Sequence, residues 1–350
     1  MRFDFFYYIC KIFEKKQEMN DKKQRIEWID MAKGYGIILV LVGHVDMPYI
    51  TKYIYAFHIP LFFFLSGCVY NTTIEFNAFF IKKIKKLVIP YFCLCLPMIF
   101  SELYFGDSCN INIDGIINEM IGFLEQKRHT TLWFLSTLIL LNFITYPFIR
   151  YNIKHTTIIV VGVSLFGLLL WHMGLNSLIW NIDAALVVIP FFYAGFKSKS
   201  IFNQILNIPT KYILFSFILL SIITFAITRF NYSLSGTKLD IYDSTLGNIW
   251  LGYLSAFSGI VACIVFSMLF SNKVIKYLGK NSLLFFAWHQ SIVFPALSYL
   301  YWRIGLSECY IYINTYIFKW ITVIFTFFII TLLNELISHS RLRFVIGKQK

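Results

Sequence analysis

Residues 25–67 read RIEWIDMAKGYGIILVLVGHVDMPYITKYIYAFHIPLFFFLSG, and they set two histidines, His44 and His58, inside sequence apolar enough for a membrane. Imidazole is costly to bury in hydrocarbon, so a histidine at membrane depth is read as a functional group whose partner has to be found. If the first span enters the bilayer just after Lys33, His44 follows at roughly 16 Å, about half of a ~30 Å core. The chain turns near residues 46–52, so an antiparallel helix pair holds both imidazoles at nearly equal depth. Pro60 frees the carbonyl of Ala56, which then needs a side chain, water or substrate as partner. Gly36 and Gly43, on one helix face, admit a second helix beside His44. The competing reading makes each histidine a hydrogen-bonding tie between helices. The matched depths, and the neighbouring Gly43 and Pro60, favour function.

The whole chain agrees with a membrane setting. Of its 350 residues 58% are hydrophobic and 19% aromatic, and the mean hydropathy is +0.67, which excludes an ordinary soluble domain. Apolar runs long enough to cross fall at 34–51, 53–71, 87–105, 132–149, 157–173, 178–196, 211–228, 249–270, 282–302 and 311–336. The expected fold class is therefore an all-α integral membrane bundle of about ten helices. Residues 1–24 carry an apolar patch too short to span and without a small-residue cleavage site, and read as a cytosolic or interfacial segment. Translation could start at Met1 or Met19. Residues 25–337 form the membrane domain, and residues 338–350 a basic cytosolic tail.

Charge placement orients the bundle. With the N-terminus inside, 24 of the 31 basic residues fall in inner segments and six in outer ones, so both termini are expected in the cytosol. The net charge of +13 follows from this topology and requires no nucleic-acid partner. The seven cysteines are scattered without metal or redox spacing and read as small core residues, so no metal is expected.

Two outer segments are long. Ile113, Ile116, Ile117, Met120, Ile121 and Leu124 recur at helical spacing among Asp114, Glu119 and Glu125, predicting an amphipathic helix at the outer interface or over the bundle mouth. Residues 229–248 are polar and read as a lid or a solvated connector. At the start of the third span, KKIKKLVIPY (residues 82–91) puts Lys82, Lys85 and Lys86 on one helix face beside Lys83. That cluster either anchors to anionic lipid or binds phosphate.

The segments IDMAKGYGIILVLVGH, FHIPLFFFLSG, KKIKKLVIPY, LWFL at 132–135, PFFYAGF at 190–196 and YLGKNSLLFFAWHQ at 277–290 occur in that order. Together they resemble the acyltransferase type three family of bacterial membrane enzymes, in particular its fucose 4-O-acetylase-like branch. The resemblance implies transfer of an acyl group, commonly acetyl, from acetyl-CoA or another acyl-CoA to a sugar hydroxyl of a surface polysaccharide or its lipid-linked precursor. It also implies a ten-span bundle in the bacterial inner membrane. By position, His44 matches the family's key histidine. Lys82, Lys83, Lys85 and Lys86 fall where many members carry an Arg-x-x-Arg pair for the coenzyme's phosphates, although lysine lacks the bidentate fork. Arg25, Asp30 and Lys33 match the motif that opens the first span, where an ion-paired cap is the alternative.

Two more residues fit a site. Asp183 is the one acidic residue deep in an apolar run, at a depth close to that of the two histidines, so a histidine is its expected partner, with an interhelical tie as the alternative. His289, in the ninth span, is expected to be shallower and to line the donor path. The expected mechanism is direct transfer with His44 as general base, oriented by His58 or Asp183; an acyl-histidine relay is the competitor. A transporter or flippase of a lipid-linked sugar is the alternative function, since it too needs polar residues at mid-depth.

Overall fold

The computed structural model describes residues 26–45, 47, 50–105, 112–305 and 315–348. In chain order these form α1 (Glu27–His44), α2 (Ile50–Tyr55), α3 (His58–Cys68), α4 (Phe76–Phe105), α5 (Ile113–Glu125), α6 (Trp133–Arg150) and α7 (Thr156–His172). Then follow α8 (Ile182–Ile205, entered through a 3-10 turn at Ile179–Asn181), α9 (Thr210–Ser235), α10 (Ile249–Leu269), α11 (Lys273–Lys280), α12 (Ser282–Arg303) and α13 (Thr315–His339). A 3-10 segment, Arg341–Ile346, closes the described chain. Among the described residues there is no strand, only an isolated bridge between Asp240 and Thr245. The expected roles of residues 1–24 and of Arg25, and the choice of start at Met1 or Met19, lie outside the described residues.

Among the described residues, seven helices are long and apolar enough to cross a membrane: α4, α6, α8 with its entry turn, α9, α10, α12 and α13. They coincide with seven of the ten apolar runs. An eighth run forms α7, an apolar helix of 17 residues. The first two runs depart from expectation. α1 starts at Glu27, taking Glu27, Asp30 and Lys33 into the helix, and stops at His44. The second run is broken at Ala56 and Phe57 into α2 and α3. Pro60 consequently stands in the first turn of α3, where backbone donors have no helical partner in any case. Ala56 is thus outside a helix, and the expected orphan carbonyl within a continuous span does not arise.

The core is built around α3, in which ten of eleven residues are buried. A helix apolar on every side has to be enclosed by others, and α3 packs against α8, α1 and α10. Its crossing with α8 is a backbone contact: a Cβ on Gly67 would lie 1.9 Å from the Phe192 oxygen, and one on Gly195 1.9 Å from the Phe64 oxygen. α11 locks onto α1 in the same reciprocal way through Gly34 against Ile275 and Gly279 against Asp30. Small residues let backbones approach where lipid supplies no hydrophobic drive between helices. Gly36 and Gly43 do not serve this purpose: they face the side chains of Phe62 and of Ile54 and Tyr55. The rim is apolar too. Only 17% and 22% of the apolar windows of α9 and α13 are buried, against 61% for α8, so those two helices face outward.

Two helices carry the same irregularity. α4 has a π turn at Ile84–Val88, with the Ile89 N–H bonded to the Ile84 carbonyl. α12 has one at His289–Val293, with the Phe294 N–H bonded to the His289 carbonyl. In both, a proline, Pro90 or Pro295, sits two residues after the turn. Proline has no N–H to give to the carbonyl four residues back, and the ladder just before it re-registers to five. The consequence in α12 is local: it turns His289 into the cavity described next.

Candidate active site

Three helix segments bring three imidazoles together. His44 ends α1 and His58 begins α3, while His289 opens the π turn of α12. The ring centroids of His44 and His289 are 4.8 Å apart, and those of His44 and His58 6.1 Å. Each Nδ1 bonds the carbonyl four residues back: His44 to Val40 at 2.8 Å, His58 across the break to Ile54 of α2 at 3.0 Å and His289 to Phe285 at 2.9 Å. A carbonyl only accepts, so Nδ1 carries the proton and the lone pair of each neutral ring is on Nε2. The Nε2 atoms of His58 and His289 are buried and have no hydrogen-bond partner among the described residues. His44 is the least buried of the three.

The sequence placed His289 shallower than His44, on the donor side. It instead stacks edge-on to His44 and is nearer to it than His58 is. The reason is that α1 stops at His44 and α12 bulges at His289, which linear depth counting along regular helices cannot register.

All three rings line one cavity of about 540 Å³. Its floor includes Phe286, which packs on Phe134 at 4.4 Å between centroids, and Phe134 packs on Phe63 at 4.6 Å. Its mouth is made by loops that put Arg128, Lys238, Asp240 and Tyr242 on the wall, together with Glu102 of α4. Lys238 lies over the Tyr55 ring at 3.8 Å and pairs with Asp240 at 3.1 Å. Burial pushes the Asp240 carboxyl up against the pull of Lys238. The expected amphipathic helix is present as α5, with Ile113, Ile117, Met120, Ile121 and Leu124 exposed, and its Glu119 holds His129 at 3.0 Å beside the mouth.

Asp183 has a different partner from the one expected. Its carboxylate accepts from the Arg128 guanidinium at 2.5 Å, from the Trp171 indole at 2.8 Å and from the Leu178 N–H at 3.0 Å. The Asp183 and Arg128 side chains are 0% and 5% exposed, so this is a buried, fully hydrogen-bonded ion pair. Arg128 also reaches Asn181 at 3.1 Å, the Tyr242 carbonyl at 3.0 Å and Ser244 at 3.1 Å, while the Tyr242 hydroxyl returns to the Arg128 carbonyl at 2.5 Å. Burial pushes the guanidinium below its ordinary value, and the Asp183 charge pulls it back. The backbone around this knot is strained. Of nine non-glycine residues with positive φ among the described residues, seven (Gln126, Arg128, Thr130, Ser177, Trp180, Asn181 and Ser244) lie in the three segments that meet there. Such conformations cost of order 1–3 kcal/mol each and persist only where the surroundings over-determine them. Arg128 was not singled out in the sequence; in EQKRHTT it looks like any basic residue of an outer loop.

The four lysines separate. Lys83 turns inward over the rings of Tyr70 and Phe79, at 5.1 and 5.2 Å. Lys82, Lys85 and Lys86 stay exposed, and Lys85 lines a second cavity. Among the described residues no group of three or more His, Cys, Asp or Glu side chains is arranged to hold a metal ion.

In a comparison with known families, residues 26–336 match a family model described as an acyltransferase domain. No curated protein and no solved structure matches the chain at a significant level.

Proposed function

The chain belongs to the acyltransferase type three family, and from that membership together with the three like-oriented imidazoles we propose how it works. It is a membrane acyltransferase with apolar spanning helices. In our reading it moves an acetyl or other short acyl group from acyl-CoA to a sugar hydroxyl of a bacterial surface polysaccharide or its lipid-linked precursor. It does so in the cytoplasmic membrane, crossing ten times with both termini in the cytosol. α1, the α2–α3 pair and α7 then supply the three crossings beyond the seven long helices.

The observation that carries this reading is His44, whose Nδ1–H is held by the Val40 carbonyl so that Nε2 is left to accept a proton at the cavity wall. An acceptor hydroxyl gives its proton to Nε2 as its oxygen attacks the thioester carbonyl. The new C–O bond forms, the C–S bond breaks, and the proton passes from the imidazolium to the departing thiolate. His289 and His58, with unsatisfied Nε2 atoms, accept from other hydroxyls of the sugar and fix its orientation. Asp183 acts at one remove, as a positioning residue that holds Arg128 at the mouth. On the donor side, Lys82, Lys85 and Lys86 attract the coenzyme's phosphates, whereas Lys83 packs inward. The transporter alternative has no call on an acyltransferase domain.

The test is transfer itself. Purified protein in lipid nanodiscs, given isotopically labelled acetyl-CoA and the host's glycan precursor, should place label on a sugar oxygen. Absence of both transfer and thioester turnover with every short acyl-CoA tried would overturn the proposal.

A further inference from the structure

A second cavity, of about 970 Å³, lies where α4 begins and α13 ends. Its polar wall is Lys85 of α4 together with His339, Arg341, Arg343 and Lys348 of the C-terminal segment; Ile89 and Phe344 make an apolar wall. Among the described residues no carboxylate lines it. The segment that brings three of the four full cations is fixed in place. Ser340 accepts from the Leu342 N–H at 2.9 Å and starts the 3-10 turn, in which Ile346 is buried. Gly347, at φ +71°, then reverses the chain against α4: a Cβ there would lie 3.1 Å from the Lys86 carbonyl oxygen. That reversal brings the Lys348 N–H to the Arg343 carbonyl at 3.1 Å, so the two cationic residues share one short loop.

We propose that this cavity binds a ligand carrying two neighbouring phosphates, and that the C-terminal segment, which lies beyond the matched domain ending at residue 336, supplies most of the recognition. The argument is one of charge and shape. A phosphomonoester carries about −1.5 to −2 charges at neutral pH and a phosphodiester about −1, so two phosphates offset between about half and all of the charge of four cations. A simple phospholipid headgroup, with one phosphodiester, leaves most of that charge uncompensated. Two guanidinium forks suit phosphate oxygens in a way that ammonium groups do not. The volume is that of a small-molecule pocket. The apolar wall accommodates either a nucleobase or acyl chains, so the paired phosphates come either from the nucleotide end of the acyl donor or from a two-phosphate lipid. The nucleotide source rests on the acyl-CoA reading above; the lipid source does not.

The full chain in zwitterionic nanodiscs is titrated with adenosine 3′,5′-bisphosphate, and separately loaded with cardiolipin and examined by native mass spectrometry. Wild type should bind one of the two. Arg341→Lys with Arg343→Lys, which keeps the charge and removes the forks, should weaken that binding about tenfold or more. Arg341→Gln, Arg343→Gln and Lys348→Gln together should abolish it, with unchanged thermal unfolding as the folding control. If that triple variant unfolds, the double lysine variant alone decides. Bisphosphate binding identifies the nucleotide source, and cardiolipin retention the lipid source. Equal binding by wild type and the double lysine variant, or no binding of either probe to wild type, overturns the site. Because no acyl group is present, failure of acyl transfer with bisphosphate binding intact would count against the function and leave this site standing.

Discussion

An imidazole with its Nδ1–H committed to a backbone carbonyl presents one lone pair in one direction, and three such rings in one cavity give a protein several acceptors but no fixed donor. If His44 is the base, His44→Ala should lower turnover by roughly 10² to 10⁴ with the protein still inserted and monodisperse. The wild-type rate should rise with pH as the ring loses its proton and then level off. Steady-state kinetics on both proteins check this, and a near wild-type rate for the alanine variant returns His44 to a helix tie. Asp183 belongs to a different experiment. Asp183→Asn leaves the buried Arg128 charge unbalanced, which costs about 3–5 kcal/mol for a pair of this kind, so its thermal unfolding should drop well below that of His44→Ala. Its pH–rate profile should keep the wild-type midpoint, whereas a carboxylate paired with a histidine would move it. The histidines were legible in the sequence because polar residues stand out against apolar runs. Arg128 was not, since its burial comes from the folding of three loops over it, and loops carry no periodicity to read.

At the scale of the helix, the two π turns show how a proline can set a side chain's direction from a distance of several residues. Pro295→Ala would restore a donor for the Ser291 carbonyl and allow α12 to run as a regular helix, rotating His289 by up to about 100°. Misplacement of this order costs about 10² in rate. We therefore expect a correctly inserted Pro295→Ala protein with a much reduced kcat, and an unchanged kcat would mean that His289 does not depend on the turn. Packing is the second lever. Gly195→Ala forces a methyl onto the Phe64 carbonyl, and overpacking of about 1–3 kcal/mol or more should appear as a lower unfolding temperature in detergent. Hydropathy located α4, α6, α8, α9, α10, α12 and α13 because each is a long apolar run. It misjudged the limits of α1, whose charged first turns are helical without being apolar, and it ran α2 and α3 together because the break at Ala56 and Phe57 is itself apolar.

Across the whole molecule, the histidine cavity and the basic cavity meet opposite parts of α4, which lends Glu102 to the first and Lys85 to the second. Along α4, Lys85 precedes Glu102 by roughly 25 Å at 1.5 Å per residue. An acyl donor held by its phosphates at the basic end would have to extend a flexible arm over about that distance, while an acceptor would approach through the mouth beside Arg128 and Tyr242. That division requires the mouth and the C-terminal segment to face opposite sides of the membrane. The basic residues favour it, with 24 in the expected inner segments and six in the outer ones, because short loops rich in Lys and Arg are retained in the cytosol. The check is accessibility labelling in a background in which all seven cysteines have been replaced. A cysteine introduced at Lys127 or Thr237, in the two mouth loops, should react with an impermeant maleimide applied to intact spheroplasts. A cysteine at Ser340 should react only after permeabilisation. If Ser340 and Lys127 label from the same side, the helices between them cross an odd number of times fewer or more than proposed, the ten-span topology fails, and a donor at one end can no longer meet an acceptor entering from the other.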